Sequence, residues 1–394
     1  MTDPQREESV RRALEADGLD ALVCRLPENV VLLAGYWPII GRSAVVWPRE
    51  GDPVLVAPEM EREPLDRATV RDIRTYDTWK LSDPSPDDSL RHILKDVALD
   101  LGLVGKRIGY EGSFEDIAPT QKVLEPWQFG TAAEDMLRDT FGENLVDATS
   151  LLVHLRAIKT PVEIDRIRVA NEIAGFGLEA FRKSVRAGVR ECDVQAAVES
   201  AVVAHGTGYK GTHHARGQAV VFSGPERLWK WGWGLGTTGD RLIQPGDLVM
   251  LELSTVADGY YSDLTRMIAV PPVAARVQEA YDACLAANRA ALAAVRAGAT
   301  GRDVDAAARA VLASRGFAAE FIHHTGHGVG FRYHEPIPFL HPSVESTLAA
   351  GMVHTVEPGI YSQELGGMRV EDNVLVTATG ADVLSDFTRA LVVE

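Results

Sequence analysis

Two stretches of the chain, residues 185–206 (VRAGVRECDVQAAVESAVVAHG) and residues 295–316 (VRAGATGRDVDAAARAVLASRG), match at a constant offset of 295 − 185 = 110 positions. They share Val-Arg-Ala-Gly, Asp-Val, Ala-Ala and the final glycine. In both stretches the apolar residues recur at the spacing of one helix face. These residues are Val194, Ala197, Val198, Ala201 and Val202, then Val304, Ala307, Ala308, Val311 and Leu312. An internal match of this length predicts a domain built from two related halves.

Both halves place a carboxylate at the same distance from a glycine. Glu252 follows Gly246 by six residues in PGDLVMLELS, and Glu357 follows Gly351 by six residues in AGMVHTVEPG. Both segments have the composition of buried β-strands. We therefore expect equivalent strands to deliver one acid from each half.

A turn and a return strand follow each of these predicted strands. The Asp258-Gly259 dipeptide is a hairpin signal, and Asp263 lies on the predicted return strand. In the second half the Gly366-Gly367 dipeptide marks a turn, and Glu371 lies on the return strand. The pattern predicts four strands with one acid on each, and a pseudo-twofold cleft into which the acids converge.

Histidines are concentrated in residues 323–336, HHTGHGVGFRYHEP, which contain four of the 11 histidines of the chain. No His-Glu-x-x-His or Cys-x-x-Cys pattern occurs in the sequence, so two common zinc motifs are excluded. One of these histidines together with the four acids would form a site for two divalent metal ions. Its oxygen-rich ligands suit Mn²⁺, Co²⁺ or Zn²⁺.

Composition limits the class of protein. The 394 residues are 46% hydrophobic and 24% charged, which is typical of a soluble globular protein long enough for two domains. The net charge of −16 argues against nucleic acid or an anionic membrane as partner. We find no secretion signal and no long apolar run, and the three cysteines are isolated. These features predict a cytoplasmic protein with reduced thiols.

The first 150 or so residues alternate helix and strand signals. Strands are predicted in LDALVC, RSAVVWPREGDPVLVAPE, RDIRTY and KRIGYEG, and helices over residues 7–17 and 89–101. Thr160-Pro161 followed by Glu163 predicts the start of a long helix. We therefore predict an α/β domain over residues 1–155 and an α+β domain containing the duplication over residues 156–394.

At this point the motifs resemble those of the pita-bread metallopeptidase superfamily, which includes methionine aminopeptidase, aminopeptidase P, prolidase and the non-peptidase creatinase. The resemblance covers nearly the whole chain and implies a creatinase-like N-terminal domain followed by a pita-bread catalytic domain. Its motifs are PENVVLLAGY, DGYYSDLTR, TGHGVGFRYHEP, TVEPGIY and MRVEDNVLV.

The resemblance implies a role for each candidate site residue. His327 would be the histidine ligand, and Asp263 and Glu371 would bridge two metal ions. Glu357 would share one ion with His327, and Glu252 would bind the other. His323 and His334 are similar to the histidines that hold substrate and stabilise the tetrahedral intermediate, and Arg369 to an arginine that supports Glu371. No role is predicted for His324 beyond packing or contact with solvent.

Two departures from the family pattern concern this site. The first acid is normally aspartate, and the longer Glu252 side chain moves its carboxylate by roughly 1 Å, whereas metal–ligand distances tolerate about 0.2 Å. Peptidases of the family also carry a histidine shortly before that acid, but none occurs between His214 and His323. The equivalent position falls near Trp231, and the pair His213-His214 is a possible substitute from another loop.

The resemblance implies a metal-dependent hydrolase that cleaves the Xaa-Pro bond of dipeptides or short peptides, with Glu357 as proton shuttle and a homodimer as the assembly. Two alternatives stay open. One is a metal-independent hydrolase of a small C–N substrate, as in creatinase or ectoine hydrolase, in which Glu252 and other side chains act directly. The other is a non-catalytic binding protein on the same fold.

Overall fold

The structure of the protein is a computed structural model that describes residues 3–39, 42–77, 85–112, 131–232 and 236–392. The chain divides into two compact units, Met1–Arg156 and Ala157–Glu394.

A six-stranded mixed sheet forms the centre of the first unit, with strand order β4-β3-β2-β1-β5-β6. Strands β1, β2 and β3 are antiparallel neighbours, and the pairs β3–β4, β1–β5 and β5–β6 are parallel. The bounds are β1 Ala21–Cys24, β2 Ala44–Pro48, β3 Val54–Pro58, β4 Asp72–Tyr76, β5 Ile108–Tyr110 and β6 Leu145–Asp147. Each strand segment predicted from the sequence in this region contains one or two of these strands.

Helices complete the α/β architecture of this unit. Their bounds are α1 Pro4–Ala16, α2 Pro27–Ala34, α3 Arg62–Leu65, α4 Pro86–Asp100, α5 Thr131–Phe141 and α6 Thr149–Ala157. Apolar residues of α4 and α5, among them Leu90, Leu94 and Phe141, pack against Val46, Val56 and other strand residues in one core. The helices predicted over residues 7–17 and 89–101 correspond to α1 and α4.

The first half of the second unit is a helix pair packed on a three-stranded antiparallel sheet. Its elements are α7 Pro161–Ser184, α8 Glu191–Gly206, β7 Ala215–Ser223, α9 Pro225–Trp231, β8 Leu248–Ala257 and β9 Tyr260–Ala269. Helix α7 begins where the sequence predicts, because Thr160 and Glu163 form a capping box in which each side chain accepts the backbone N–H of the other.

A second helix pair packs on the sheets of the other half. Its elements are α10 Ala275–Ala294, α11 Gly301–Ser314, β10 Gly326–Gly328, β11 Glu335–Leu340, β12 Val353–Val356, β13 Gly359–Ser362, β14 Gly366–Arg369, β15 Asp372–Val376 and β16 Ala381–Val383. Five of the strands form an antiparallel sheet in the order β11-β10-β12-β15-β16, and β13 pairs with β14 alone.

Matching backbone features recur at the offset of the sequence repeat. Helices α8 and α11 begin at Glu191 and Gly301, which are 301 − 191 = 110 residues apart. The preceding glycines, Gly188 and Gly298, have φ values of 83° and 86°. The residue before each helix forms an isolated β-bridge, Arg190 with Leu242 and Thr300 with Thr347. These equivalences support the duplication, and the pseudo-twofold axis stays a prediction.

A buried carboxylate joins β5 to the start of α2 in the first unit. Glu111 accepts hydrogen bonds from the backbone N–H groups of Arg25 and Leu26, both at 2.8 Å, and from the Asn29 amide at 2.9 Å. Burial raises the pKa of Glu111 to about 7, although these hydrogen bonds act in the opposite direction. The carboxylate accepts the two backbone N–H groups that directly precede α2, and it lies near the helix N-terminus, where a negative charge is favourable.

We predict that this group makes stability depend on pH. Because its pKa is raised on folding from 4.5 to about 7, the folded chain binds more protons than the unfolded chain between those values. The contribution of Glu111 to the free energy of unfolding should therefore fall as pH rises through this window. Urea unfolding between about pH 4.5 and 8 should show a slope that Glu111→Gln reduces. The control is Glu50→Gln, at an exposed turn acid; an identical slope in Glu111→Gln and the unsubstituted chain would contradict the prediction.

Candidate functional site

Strands β8 and β9 carry two of the predicted acids on one face. Glu252 lies opposite Thr265, and Ser254 lies opposite Asp263, so the two acids are diagonal neighbours. The hairpin closes through Asp258-Gly259, whose φ values of 47° and 86° fit a type I′ turn. The predicted hairpin is confirmed, and it fixes which side chains share the face.

The prediction that the second pair of acids lies on strands is wrong. Glu357 and Glu371 lie in the two short segments where the chain passes between the five-stranded sheet and the β13–β14 pair. Pro358 follows Glu357 and has no N–H with which to continue the ladder of β12. The turn before β14 also precedes the two glycines, because Gly366 already pairs with Ser362. Both acids therefore project from breaks between the sheets.

His327 lies in β10 with one ring nitrogen fixed and the other facing acids. Its Nδ1 is 2.9 Å from the Gly328 carbonyl oxygen, which can only accept, so Nδ1 carries the hydrogen. Its Nε2 lies 3.4 Å from Asp263 Oδ2 and 3.4 Å from Glu357 Oε1. This orientation leaves the Nε2 lone pair among carboxylates, as metal-binding histidines require.

The two glycines that flank His327 allow strands to approach closely. A Cβ on Gly326 would lie 2.1 Å from the Thr355 carbonyl oxygen, and one on Gly328 would lie 2.4 Å from that of Ile337. Glycine is therefore required at both positions, where backbone groups of neighbouring strands approach closely.

Several acidic side chains lie close together in this region, and two of them are almost inaccessible to solvent. Asp263 and Glu371 are 2% and 1% exposed. Burial raises the pKa of Asp263 well above its usual value, and the charges of Glu252 and Glu357 add to the effect. Burial and the charges of Asp263 and Glu357 likewise raise the pKa of Glu371. The site therefore favours a positive ion or bound protons.

Glu357 behaves differently because cationic and donor groups face it. Although burial opposes the shift, a hydrogen bond from His324, the neighbouring imidazole of His327 and the positive charge of Arg369 hold its pKa well below its usual value. His324 Nε2 lies 3.5 Å from Glu357 Oε1. Only packing or solvent contact was predicted for His324, because its place beside Glu357 depends on pairing that no local pattern reveals.

The other two predicted histidines are neutral. Burial lowers the pKa of His323 to about 4, and its ring nitrogens lie 2.7 Å from the His324 carbonyl oxygen and 3.2 Å from the Tyr361 hydroxyl. Burial and the neighbouring His327 also lower the pKa of His334 well below its usual value. The His334 ring centroid lies 4.2 Å from that of His327, and the side chain is partly exposed. His334 is thus a neutral imidazole that is partly open to solvent.

Arg369 lies closest to Glu252 among the acids. Its Nη2 is 3.0 Å from Glu252 Oε2, whereas its Nε is 3.7 Å from Glu371 Oε2. Thr265 links the arginine to Glu371, because its hydroxyl accepts from Arg369 Nε at 2.9 Å and donates to Glu371 at 2.6 Å. The support of Glu371 that the resemblance implies therefore runs through a hydroxyl.

The Tyr333 hydroxyl is a further group that the sequence reasoning missed. It donates to Glu252 Oε1 at 2.7 Å. Burial and the charges of Asp263 and Glu252 raise the pKa of Tyr333, so the phenol keeps its proton. The only local signal was the position of Tyr333 beside His334.

The missing histidine has no observed replacement among the described residues. The backbone N–H groups of His213 and His214 donate to the Asp258 carboxylate at the tip of the β8–β9 hairpin. The side chain of Trp231 lies outside the described residues. The proposed substitution by His213 or His214 stays a prediction.

The residues present fit a divalent cation. Two groups each bring three ligand atoms within 4.8 Å of one another: Asp263, His327 and His334, and His324, His327 and Glu357. Within the described part of the chain, the buried atoms Asp263 Oδ1 and Glu371 Oε1 have no hydrogen-bond partner. Such oxygens are costly unless a cation or another donor satisfies them.

A buried ion pair holds residues 331–335, the loop that carries Tyr333 and His334. Lys159 Nζ lies 2.5 Å from Glu335 Oε2, and the two side chains are 0% and 2% exposed. Glu335 Oε1 accepts the Phe331 N–H at 2.9 Å. The pair therefore fixes both ends of the segment that includes Tyr333 and His334.

Comparison with known proteins agrees with this fold. Residues 165–378 match metallopeptidase family M24, and residues 6–158 match the creatinase/prolidase N-terminal domain. The chain is 29% identical to the Xaa-Pro dipeptidase of Pyrococcus furiosus over 390 residues, 98% of this chain and 99% of that protein.

Solved structures are similar over the same extent. The Xaa-Pro dipeptidase from Bacillus anthracis has a TM-score of 0.79 at 25% identity, covering 98% of this chain and 99% of that one. Dipeptidase PepE from Mycobacterium ulcerans has a TM-score of 0.73 at 30% identity, covering 99% of this chain and 97% of that one. The chain belongs to metallopeptidase family M24, and the resemblance drawn from its sequence is confirmed. Its fold is a creatinase-like N-terminal domain followed by a pita-bread domain.

The raised pKa values of Asp263 and Glu371 lead to a prediction about the stability of the metal-free protein. Asp263→Asn removes one of the mutually repelling buried charges, so it should raise the Tm of chelator-treated protein by a few degrees. The same variant should lose most of the rise in Tm that Mn²⁺ gives the unsubstituted chain. Thermal unfolding with and without Mn²⁺ measures both effects.

Glu191→Gln is the matched control, because Glu191 is a buried acid whose carboxylate is paired with Arg227 and Ser223. It should lower Tm and leave the Mn²⁺-dependent rise intact. If Asp263→Asn behaved as Glu191→Gln does, the proposed repulsion and ligand role of Asp263 would both be wrong.

The ion pair between Lys159 and Glu335 gives a second prediction. Lys159→Met leaves the buried Glu335 carboxylate without its cation and should lower the free energy of unfolding by about 3–5 kcal/mol in urea titrations. The double variant Lys159→Met, Glu335→Gln removes the uncompensated charge and should recover part of this loss. Equal losses in the single and double variants would count against an electrostatic origin.

Proposed function

We propose that the chain is a metal-dependent peptidase that hydrolyses the Xaa-Pro bond of dipeptides or short peptides. The observation that carries the proposal is the open Nε2 of His327, 3.4 Å from both Asp263 and Glu357 in a buried, acid-rich site. The full-length similarity to proteins named Xaa-Pro dipeptidase supports this substrate class.

The ligands of the proposed site are Asp263, His327, Glu357 and Glu371. Their oxygen and imidazole donors suit Mn²⁺, Zn²⁺ or Co²⁺. When bound, such an ion supplies Lewis-acid activation of water and of a substrate carbonyl. The count of two ions per chain predicted from the sequence depends on Glu252 acting as a ligand, and its contacts are considered below.

The side chains around this site divide the acid and base work. Glu357 is held ionised by His324, His327 and Arg369, so it can take a proton from an attacking water and pass it on. His334, neutral and partly exposed, can donate to the oxygen of a tetrahedral intermediate. His323 is held by Tyr361 at the other side of Glu357, where a substrate-holding role fits.

We further propose a cytoplasmic homodimer that acts on small peptides. The acidic net charge of −16 supports a partner that is neither nucleic acid nor an anionic membrane. Among the described residues, none of the helices has both the length and the apolar character needed to cross a bilayer. Light scattering of the purified chain tests the assembly.

We predict that purified chain loaded with Mn²⁺ releases free proline from a panel of Xaa-Pro dipeptides, and that chelation removes this activity. His334→Ala should lower kcat by about 10²–10³-fold, because it removes a donor to the developing oxyanion. Proline is measured by chromatography, with Xaa-Ala dipeptides as the control for the bond cleaved.

Two outcomes would contradict the proposal in different ways. No release from either dipeptides or longer Xaa-Pro peptides would reject the substrate class. Turnover that survives complete metal removal would instead favour the metal-independent hydrolysis of a C–N bond, in which Glu252 and the histidines act directly.

A further inference from the structure

The second metal position of the proposed site would lie beside Glu252. Asp263 is the diagonal neighbour of Glu252 on the same face of the hairpin, so an ion there would bind both carboxylates. Metal–oxygen bonds to Mn²⁺ or Zn²⁺ are about 2.0–2.2 Å long. The ion would therefore need the space between these two side chains.

Both oxygens of Glu252 already accept hydrogen bonds from fixed groups. Oε1 accepts the Tyr333 hydroxyl at 2.7 Å, and Oε2 accepts Arg369 Nη2 at 3.0 Å. A guanidinium does not lose its proton in a protein, so Arg369 faces Glu252 as a cation at every physiological pH. Separating the pair would leave the guanidinium of Arg369, 4% exposed, without its nearest carboxylate.

The Tyr333 oxygen also interacts with Asp263. The hydroxyl hydrogen-bonds the carboxylate of Asp263. A phenol has one proton, so it donates to one acid at a time while its oxygen stays between the two. The hydroxyl thus contacts both carboxylates that a second ion would have to bind.

The first position has the opposite character. His327 Nε2 faces Asp263 and Glu357 at 3.4 Å, distances that fit ligands around one ion better than direct hydrogen bonds. Asp263 Oδ1 and Glu371 Oε1 are buried and have no hydrogen-bond partner among the described residues. Buried oxygens without a hydrogen-bond partner are therefore present at the first position, whereas each oxygen of Glu252 already accepts a hydrogen bond.

We infer that this chain binds one divalent ion, held by Asp263, His327, Glu357 and Glu371, and that Glu252, Tyr333 and Arg369 close the second position. The inference rests on the proposed metal-dependent function. It makes Tyr333 a positioning residue and gives the long side chain of Glu252 a reason, since its carboxylate reaches both the hydroxyl and the guanidinium.

Metal stoichiometry tests the inference without relying on activity. The full chain is equilibrated with excess Mn²⁺, separated from free ion by gel filtration and analysed by elemental mass spectrometry. We expect about one Mn²⁺ per chain and an electron paramagnetic resonance spectrum of an isolated ion. Calorimetric titration with Mn²⁺ provides a second count under equilibrium conditions.

The double variant Glu252→Asp, Tyr333→Phe shortens the acid and removes the hydroxyl while keeping the ring. It should bind about two Mn²⁺ per chain and give the spectrum of an exchange-coupled pair. Tyr361→Phe is the matched control, because this buried tyrosine contacts Arg369 and His323 and makes no hydrogen bond to Glu252 among the described contacts. It should stay at one ion, and circular dichroism checks that each variant is folded.

Each result has a defined meaning. Two ions in the unsubstituted chain would overturn the inference and leave the metal-dependent function standing. No bound ion would overturn both. One ion in the unsubstituted chain and still one in the folded double variant would show that Tyr333 and the length of Glu252 do not close the second position.

Discussion

The gathering of ionisable acids around one histidine, with water largely excluded, is the constraint on which the catalytic unit depends. Asp263 and Glu371 are nearly inaccessible, and burial with mutual repulsion disfavours their charged forms. Separating these acids would lower the electrostatic energy of the folded chain. The two halves instead bring them together, and helices α7, α8, α10 and α11 with their apolar cores supply the stability that this arrangement uses.

Arg369 is the built-in positive charge of this cluster, and its contacts tie the acids to one another. It bonds Glu252 directly, reaches Glu371 through Thr265, and contacts Tyr361, which in turn holds His323. One guanidinium therefore connects Glu252 of the first half with Tyr361 and His323 of the second. Because these partners are buried or partly buried, a change in the charge of one alters the electrostatic energy of the others.

Much of this could be predicted from the sequence, because the signals were local or repeated. The repeat at an offset of 110 located α8 and α11, the Asp258-Gly259 dipeptide fixed the hairpin that carries Asp263, and Thr160 with Glu163 marked the start of α7. The strand assignment of Glu357 and Glu371 failed because a change of sheet partner leaves no signature in alternation. Tyr333 and His324 were missed because their roles arise from residues about 80 and 30 positions away, with which they have no local spacing.

The β8–β9 hairpin gives the first half of the site an all-or-none dependence on backbone pairing. Side chains alternate between the faces of a strand, so moving the pairing of β9 against β8 by one residue would turn Asp263 away from Glu252 and present Ser262 or Leu264 in its place. Intermediate positions do not exist, since the ladder permits only whole-residue steps. The two-residue turn that begins at Asp258, five positions before Asp263, thus sets the strand register. The register determines whether this half of the site has a charged or an uncharged face. A one-residue insertion in that turn could therefore remove Asp263 from the site without changing any candidate ligand.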